Sequence, residues 1–257
     1  MSPSWRMSGL TMYKMRVATC LALLAAFAGV RAANAGVLEE AAERYRPYLI
    51  EGVGNALAGA KKAWISARAG WERSEVFTAG FVPELDAQID AWPNADSGFH
   101  AIEAKLFGAG NTDVDADAAA LVEHLNDLHI RLRDMKLTPQ GLLDGTVRLA
   151  YEVGESKADG GESRISGTSL DDMRNNIAGI DFAYHTIFSA ALNTVDGKHD
   201  EMVTSRIERL EAIIATPDLP HVDIPDLRRT SEELVVALQG ASAKLGLQRP
   251  TLEAQAR

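Results

Sequence analysis

Leu121, Leu125, Leu128, Leu132 and Met135 recur at alternating spacings of four and three within "DADAAALVEHLNDLHIRLRDM". That period gathers all five on one face of an α-helix, whereas a strand would scatter them over both faces. The segment can therefore bury its apolar groups only as a helix against other helices. The same period governs most of the chain. Helical patterning runs from Val37 to about Gly54, with Pro47 predicting a kink or break, and from Ala56 to Phe77. A shorter amphipathic piece, Phe81 to Trp92, ends in "WPNADSG", where Asp96 or Ser97 can cap the next helix. Thr138 caps a helix over about Pro139–Lys157, and the proline suits its first turn. Further helices are expected over Leu170–Leu192, about Asp200–Ala215, and Asp226–Leu245. The polar stretch from Ala158 to Ser169 is the longest interior loop. No run alternates as a half-buried strand does. The expected class is all-α, a helical bundle or paired bundles.

Residues 1–35 stand apart from this pattern. Arg6, Lys14 and Arg16 precede an apolar run, "VATCLALLAAFAGV", and Ala33-Asn34-Ala35 offers a small-x-small cleavage site. This reads as a secretory leader cleaved after Ala35, with Met7, Met12 and Met15 as alternative starts. The run is too short to span a membrane comfortably, and no later segment is apolar enough to do so. Cys20, the one cysteine, lies near the start of the run rather than its end, which argues against lipid anchoring. The processed chain then has no thiol for a disulfide or a metal. Without the leader it carries 22 Lys and Arg against 36 Asp and Glu, a net charge of −14. Such a surface disfavours nucleic acid and anionic membrane and attracts cations. The product is expected in the periplasm, not inserted in the membrane.

Two pairs of side chains carry candidate chemistry. In "GFHAIEAKLFG", His100 and Glu103 are three apart and share a helical face. They can be metal ligands or a bland surface pair, and the spacing alone favours the second. In "GWERSEVF", Glu72 and Glu75 form a second such pair, which read alone is a solvated acidic stripe beside Arg68 and Arg73. If the two helices face each other, three carboxylates and an imidazole surround one cation, a set suited to Fe, Mn or Zn. His124 and His129, five apart, do not share a face, and His185 reads as a packed core-edge residue. There is no GxSxG elbow and no HExxH motif, and "GVGNALAG" lacks the Lys-Ser/Thr ending of a phosphate loop.

Three stretches together resemble the imelysin-like family. "GFHAIEAKLFG" is similar to its GxHxxE signature, "AWISARAGWERSEVF" to the aromatic-Glu helix before it, and "LAYEVGESKADGGESRISGTSLDDMRNNIAGI" to a later block. The nearest subgroup is the helical domain of the EfeO/EfeM type, the periplasmic component of ferrous-iron uptake. The resemblance implies two packed four-helix bundles with a metal site in the cleft between them, spanning residues 36–257. It implies His100 and Glu103 as metal ligands with Glu72 and Glu75 as companions, and Asp96, Glu155 and Asp172 as possible cleft residues. Iron is the implied metal, with zinc or copper as alternatives. An inner-membrane iron permease, and a haem peroxidase, are the implied partners. The family's first cataloguing as peptidases, and alginate binding by some members, leave a metallopeptidase and a metal-dependent polysaccharide binder as alternative readings. Gly167 and Ser169 in "SGTSL" stand where the family commonly has His and Asp. The N-terminal cupredoxin domain of longer members is not expected.

Overall fold

The computed structural model describes residues 35–56, 61–91, 96–108, 113–158 and 160–252. The expected leader, apart from Ala35, lies outside them. The described residues contain no strand. In chain order they form α1 (Ala35–Ala56), α2 (Lys61–Phe81), α3 (Pro83–Ile89) and α4 (Gly98–Glu103), which continues as a π-helical turn, Ala104–Gly108. Then come α5 (Asp115–Asp134), α6 (Pro139–Gly154) and α7 (Ser169–Ala183), the last followed by a second π turn, Tyr184–Ser189. The chain closes with α8 (Ala190–Ile214), a 3₁₀ turn at Leu219–His221 and α9 (Ile224–Lys244). The protein is all-α. None of these helices is long and apolar enough to cross a membrane.

Several boundaries follow from local chemistry. Thr138 accepts a hydrogen bond from Gly141 N at 3.2 Å, and Pro139 fills the first turn of α6. Asp223 does the same for α9, accepting from Asp226 N at 3.0 Å. Two breaks expected from sequence are bridged instead. Helix α1 runs through Pro47, because Leu38, Ala42, Tyr45 and Leu49 bury one seam on both sides of it. The helices expected on either side of residues 193–199 are joined as α8 across one non-helical residue, Asp196. Its carboxylate accepts from His199 N at 3.2 Å and so starts the second half as a cap would.

Helices α6, α7, α8 and α9 pack as a ring, each on the next. Helices α1, α2, α3 and α5 make a second ring, with α4 leaning on α5 and α3. The leucine seam of α5 closes this group, with Leu125, Leu128 and Leu132 fully buried. Helix α2 joins the two rings by packing on both α6 and α7. Trp64, Trp71, Val76 and Phe77 bury it as a core helix, yet Arg68, Glu72, Ser74 and Thr78 on the same helix are buried too. A charged stripe is thus held inside the junction of the two bundles.

Candidate metal centre

Arg68, Glu72 and Glu75 lie at spacings of four and three, so one face of α2 carries all three. Asp90 follows α3 directly. Gly98 then opens α4 with φ +62°, and a Cβ on it would lie 2.0 Å from the Ile89 carbonyl oxygen. Only glycine fits there. The close contact sets α4 against the end of α3 and brings His100 beside Asp90. From the other bundle, residues 155–158 and 160–168 form a strap of turns carrying Lys157, Glu162, Ser163 and Ser166. Ser163 Oγ donates to Asp172, and Ser169 Oγ donates to Gly160 O at 3.1 Å, which ties the strap to α7.

His100 is held at both ring nitrogens. Nδ1 lies 3.1 Å from Glu103 Oε2, and a carboxylate can only accept, so Nδ1 carries a proton. The other oxygen of Glu103 accepts from Ser166 N at 2.8 Å and Ser166 Oγ at 2.7 Å. Glu103 is therefore fully engaged and fixes the ring's orientation, as an outer carboxylate does for a ligating histidine. Nε2 points to Asp90 Oδ1 at 3.0 Å and stands 3.9 Å from Glu162 Oε1. One ligand atom each from Asp90, His100 and Glu162 lies within 4.8 Å of the others. Among the described residues this is the one group of three or more His, Cys, Asp or Glu meeting that condition. Their side chains are 4%, 1% and 6% exposed, so water screens them little.

Beside this group, Arg68 spreads its guanidinium over four carboxylates. It pairs with Asp90, with Glu72 at 2.6 Å, with Glu162 at 3.2 Å and with Asp172 at 3.5 Å. Trp71 Nε1 donates to the second Asp90 oxygen at 3.1 Å. Lys157 Nζ reaches Glu72 at 2.8 Å, Glu162 at 2.9 Å and Glu75 at 3.1 Å. Asn176 Nδ2 donates to the same Glu72 and Glu75 oxygens at 2.6 and 2.9 Å.

The electrostatics follow from burial set against these pairs. Burial opposes charge on His100, but Asp90 outweighs it and pushes the imidazole up to about 10. Burial likewise opposes ionisation of Asp90, yet Arg68 and His100 hold it well below the usual carboxylate range. Glu162 is brought down to about 2 against burial, chiefly by Lys157. Burial wins at Asp172, raised to about 7 despite Arg68, and at Glu75, also raised.

The four residues expected at the metal thus divide. His100 and Glu103 meet at one end, while Glu72 and Glu75 face Lys157 and Asn176. Asp172 is buried against Arg68, whereas Asp96 and Glu155 are exposed. Asp90, Lys157 and Glu162 were not among the sequence candidates. Asp90 and Glu162 lie outside any helix, so helical spacing gave no signal for them. Gly167 sits on the exposed outside of the strap at φ +74°, where a larger residue would be strained. His185, expected at the core edge, is exposed and pairs with Asp181 at 2.9 Å.

Asp86, one turn before Asp90, is pushed up to about 7, mainly by burial. Its ordinary value is 3.8, so between these pH values the folded protein holds a proton that the unfolded chain has released. Stability therefore falls as pH rises from about 4 to 7. Asp86 is half-buried, which screens part of the effect. Asp86→Asn is expected to stabilise by about 2 kcal/mol at pH 8, roughly 5 °C in Tm. At pH 4 it should change little, and equal shifts at both pH values in thermal melts would refute the assignment.

Comparison with known proteins bears on what this arrangement is for. The family model described as Imelysin matches residues 22–97 and 94–245. An "Efem/EfeO family lipoprotein" of Staphylococcus aureus strain MRSA252 is 29% identical over 175 residues, and its counterpart in strain MSSA476 is 30% identical. Each alignment covers 62% of this chain and 60% of the relative. The chain spans about 60% of the length of the curated relatives it matches.

Proposed function

We propose, from the premise that the chain belongs to the imelysin family, that it is an exported iron-binding protein of iron uptake, holding its cargo at Asp90, His100 and Glu162. The observation that carries this reading is the convergence of those three buried ligand atoms within 4.8 Å. One imidazole nitrogen and two carboxylate oxygens form a borderline-to-hard donor set, suited to Fe(II), Mn(II) or Zn(II). Two carboxylates match the charge of a divalent ion. Binding requires His100 to give up its Nε2 proton, while Nδ1 stays on Glu103. In this reading Glu103 is a positioning residue, and Glu72 and Glu75 support the centre through Lys157 and Arg68. Because Glu103 is engaged through both oxygens, it is poorly placed as the general base that a metallopeptidase needs.

Export rests on the leader in residues 1–35 and on the naming of the relatives as lipoproteins. A periplasmic location and delivery to an inner-membrane permease follow from the family resemblance, and the acidic surface would concentrate cations near the site. Anaerobic calorimetry with Fe(II) and Zn(II) tests the reading. Wild-type protein should bind the ion, and His100→Ala should lose about 100-fold in affinity, about 2.7 kcal/mol, while retaining its helical circular dichroism. A wild-type protein that binds neither metal, or a folded variant with unchanged affinity, would sink the proposal.

A further inference from the structure

Lys157 is 2% exposed, and its ammonium lies within 3.1 Å of carboxylate oxygens from Glu72, Glu75 and Glu162. Three carboxylates converging on one buried point make a cation position, and here a tethered cation fills it. Glu162 belongs to this position and to the neighbouring one at once. Its Oε2 contacts Lys157 at 2.9 Å, while its Oε1 faces Arg68 at 3.2 Å and His100 Nε2 at 3.9 Å. A carboxylate with a cation position on either side has the layout of a bridging ligand in two-metal centres built between helices. Asn176 strengthens the likeness. Its Nδ2 pins the Glu72 and Glu75 oxygens toward Lys157, and its own Oδ1 is buried without a hydrogen-bond partner among the described residues.

We propose that Lys157 sets the metal stoichiometry of the centre: its ammonium occupies a second cation position, bounded by Glu72, Glu75 and Glu162, and so limits the protein to one ion. The inference rests on the reading of Asp90, His100 and Glu162 as the metal centre. Lys157 thereby decides between a one-metal carrier and a two-metal carboxylate site of the kind used for redox or hydrolytic chemistry. Charge makes the same point. With the ammonium removed, Glu75 has no other cation among its close contacts in the described residues, Glu72 keeps only Arg68, and Glu162 keeps Arg68 and His100. A divalent ion is the simplest replacement.

Native mass spectrometry and anaerobic titration with Zn(II) and Mn(II) test this on wild type, Lys157→Met and Lys157→Arg. Wild type and Lys157→Arg should bind one ion and Lys157→Met two. With Mn(II), the second ion in Lys157→Met should couple to the first and remove the isolated six-line paramagnetic resonance spectrum. A purely structural role for Lys157 would not produce that signal. Uptake of two ions by wild type, or of one or none by folded Lys157→Met, overturns the inference. If Lys157→Met is unfolded alone, the titration is followed by circular dichroism. Recovery of helix with two ions bound supports the proposal, and no recovery with either ion overturns it. Wild type that binds no ion sinks the metal-centre reading itself, and this inference with it.

Discussion

Arg68→Met is expected to abolish cooperative folding. Arg68 is fully buried and faces carboxylates of Glu72, Asp90, Glu162 and Asp172. Its guanidinium also lies over the Phe99 ring, 5.6 Å from the centroid. Breaking a single buried pair by removing one partner costs about 3–5 kcal/mol, because the other charge stays desolvated. Here four carboxylates lose their shared counter-charge, and the cost should reach or exceed the ~5–15 kcal/mol that holds a domain together. Arg68→Lys keeps the charge but loses the planar fork that serves several carboxylates at once, and should cost about 3 kcal/mol. Arg44 offers the control. It pairs with Glu40 on the surface, with side chains 60% and 70% exposed, and Arg44→Ala should cost under about 0.5 kcal/mol. Urea unfolding followed by circular dichroism measures all three. A loss below about 1 kcal/mol for Arg68→Met would show that the cluster is not what holds the two bundles together.

Gly145→Ala should destabilise nearly as strongly, for a steric reason. Helix α6 crosses α2 so closely that a Cβ at Gly145 would lie 1.7 Å from the Val76 carbonyl oxygen. Backbone cannot yield as a flexible side chain can, so α6 must move off α2. The expected cost is about 3 kcal/mol or more, roughly 6–12 °C in Tm. The same approach recurs at Gly179 on α7, where a Cβ would stand 2.6 Å from Arg73 O, and at Gly52 on α1, 3.0 Å from Gly70 O. Helix α2 is thus met by three helices through their glycines. Because α6 leads into the strap, Gly145→Ala should also loosen Lys157 from Glu72 and Glu75. Gly36→Ala is the control, since nothing lies within 4 Å of its Cβ, and it should leave Tm unchanged or slightly raised. A Gly145→Ala protein with wild-type Tm would mean that the crossing is looser than described.

How much of the centre could be read in advance depends on which residues lie on helices. His100 and Glu103, and Glu72 and Glu75, are visible as pairs because the helical period fixes which side chains share a face. Asp90 and Glu162 follow or precede helices, and no period relates them to His100. Their arrival beside it depends on Gly98 packing on Ile89 and on the strap folding over α7. Burial was equally hidden. The stripe of Arg68, Glu72 and Glu75 has the pattern of a solvated face, and read alone it favours that interpretation. Only the packing of α6 and α7 over it turns a surface pattern into an interior charge cluster.

The chain's own pattern therefore determined the all-helical class, most helix positions and the aromatic-Glu and GxHxxE segments as the places to look. Apolar residues at helical spacing admit no other way of leaving water. Tertiary structure decided the rest: that Pro47 would not break α1, that Lys157 rather than solvent would face Glu72 and Glu75, and that Asp90 and Glu162 would join His100. These outcomes depend on energies between residues up to about 100 positions apart in the chain, such as the Asn176–Glu72 bond. Local spacing carries no record of such contacts, because desolvation and charge pairing act only once the two bundles have met.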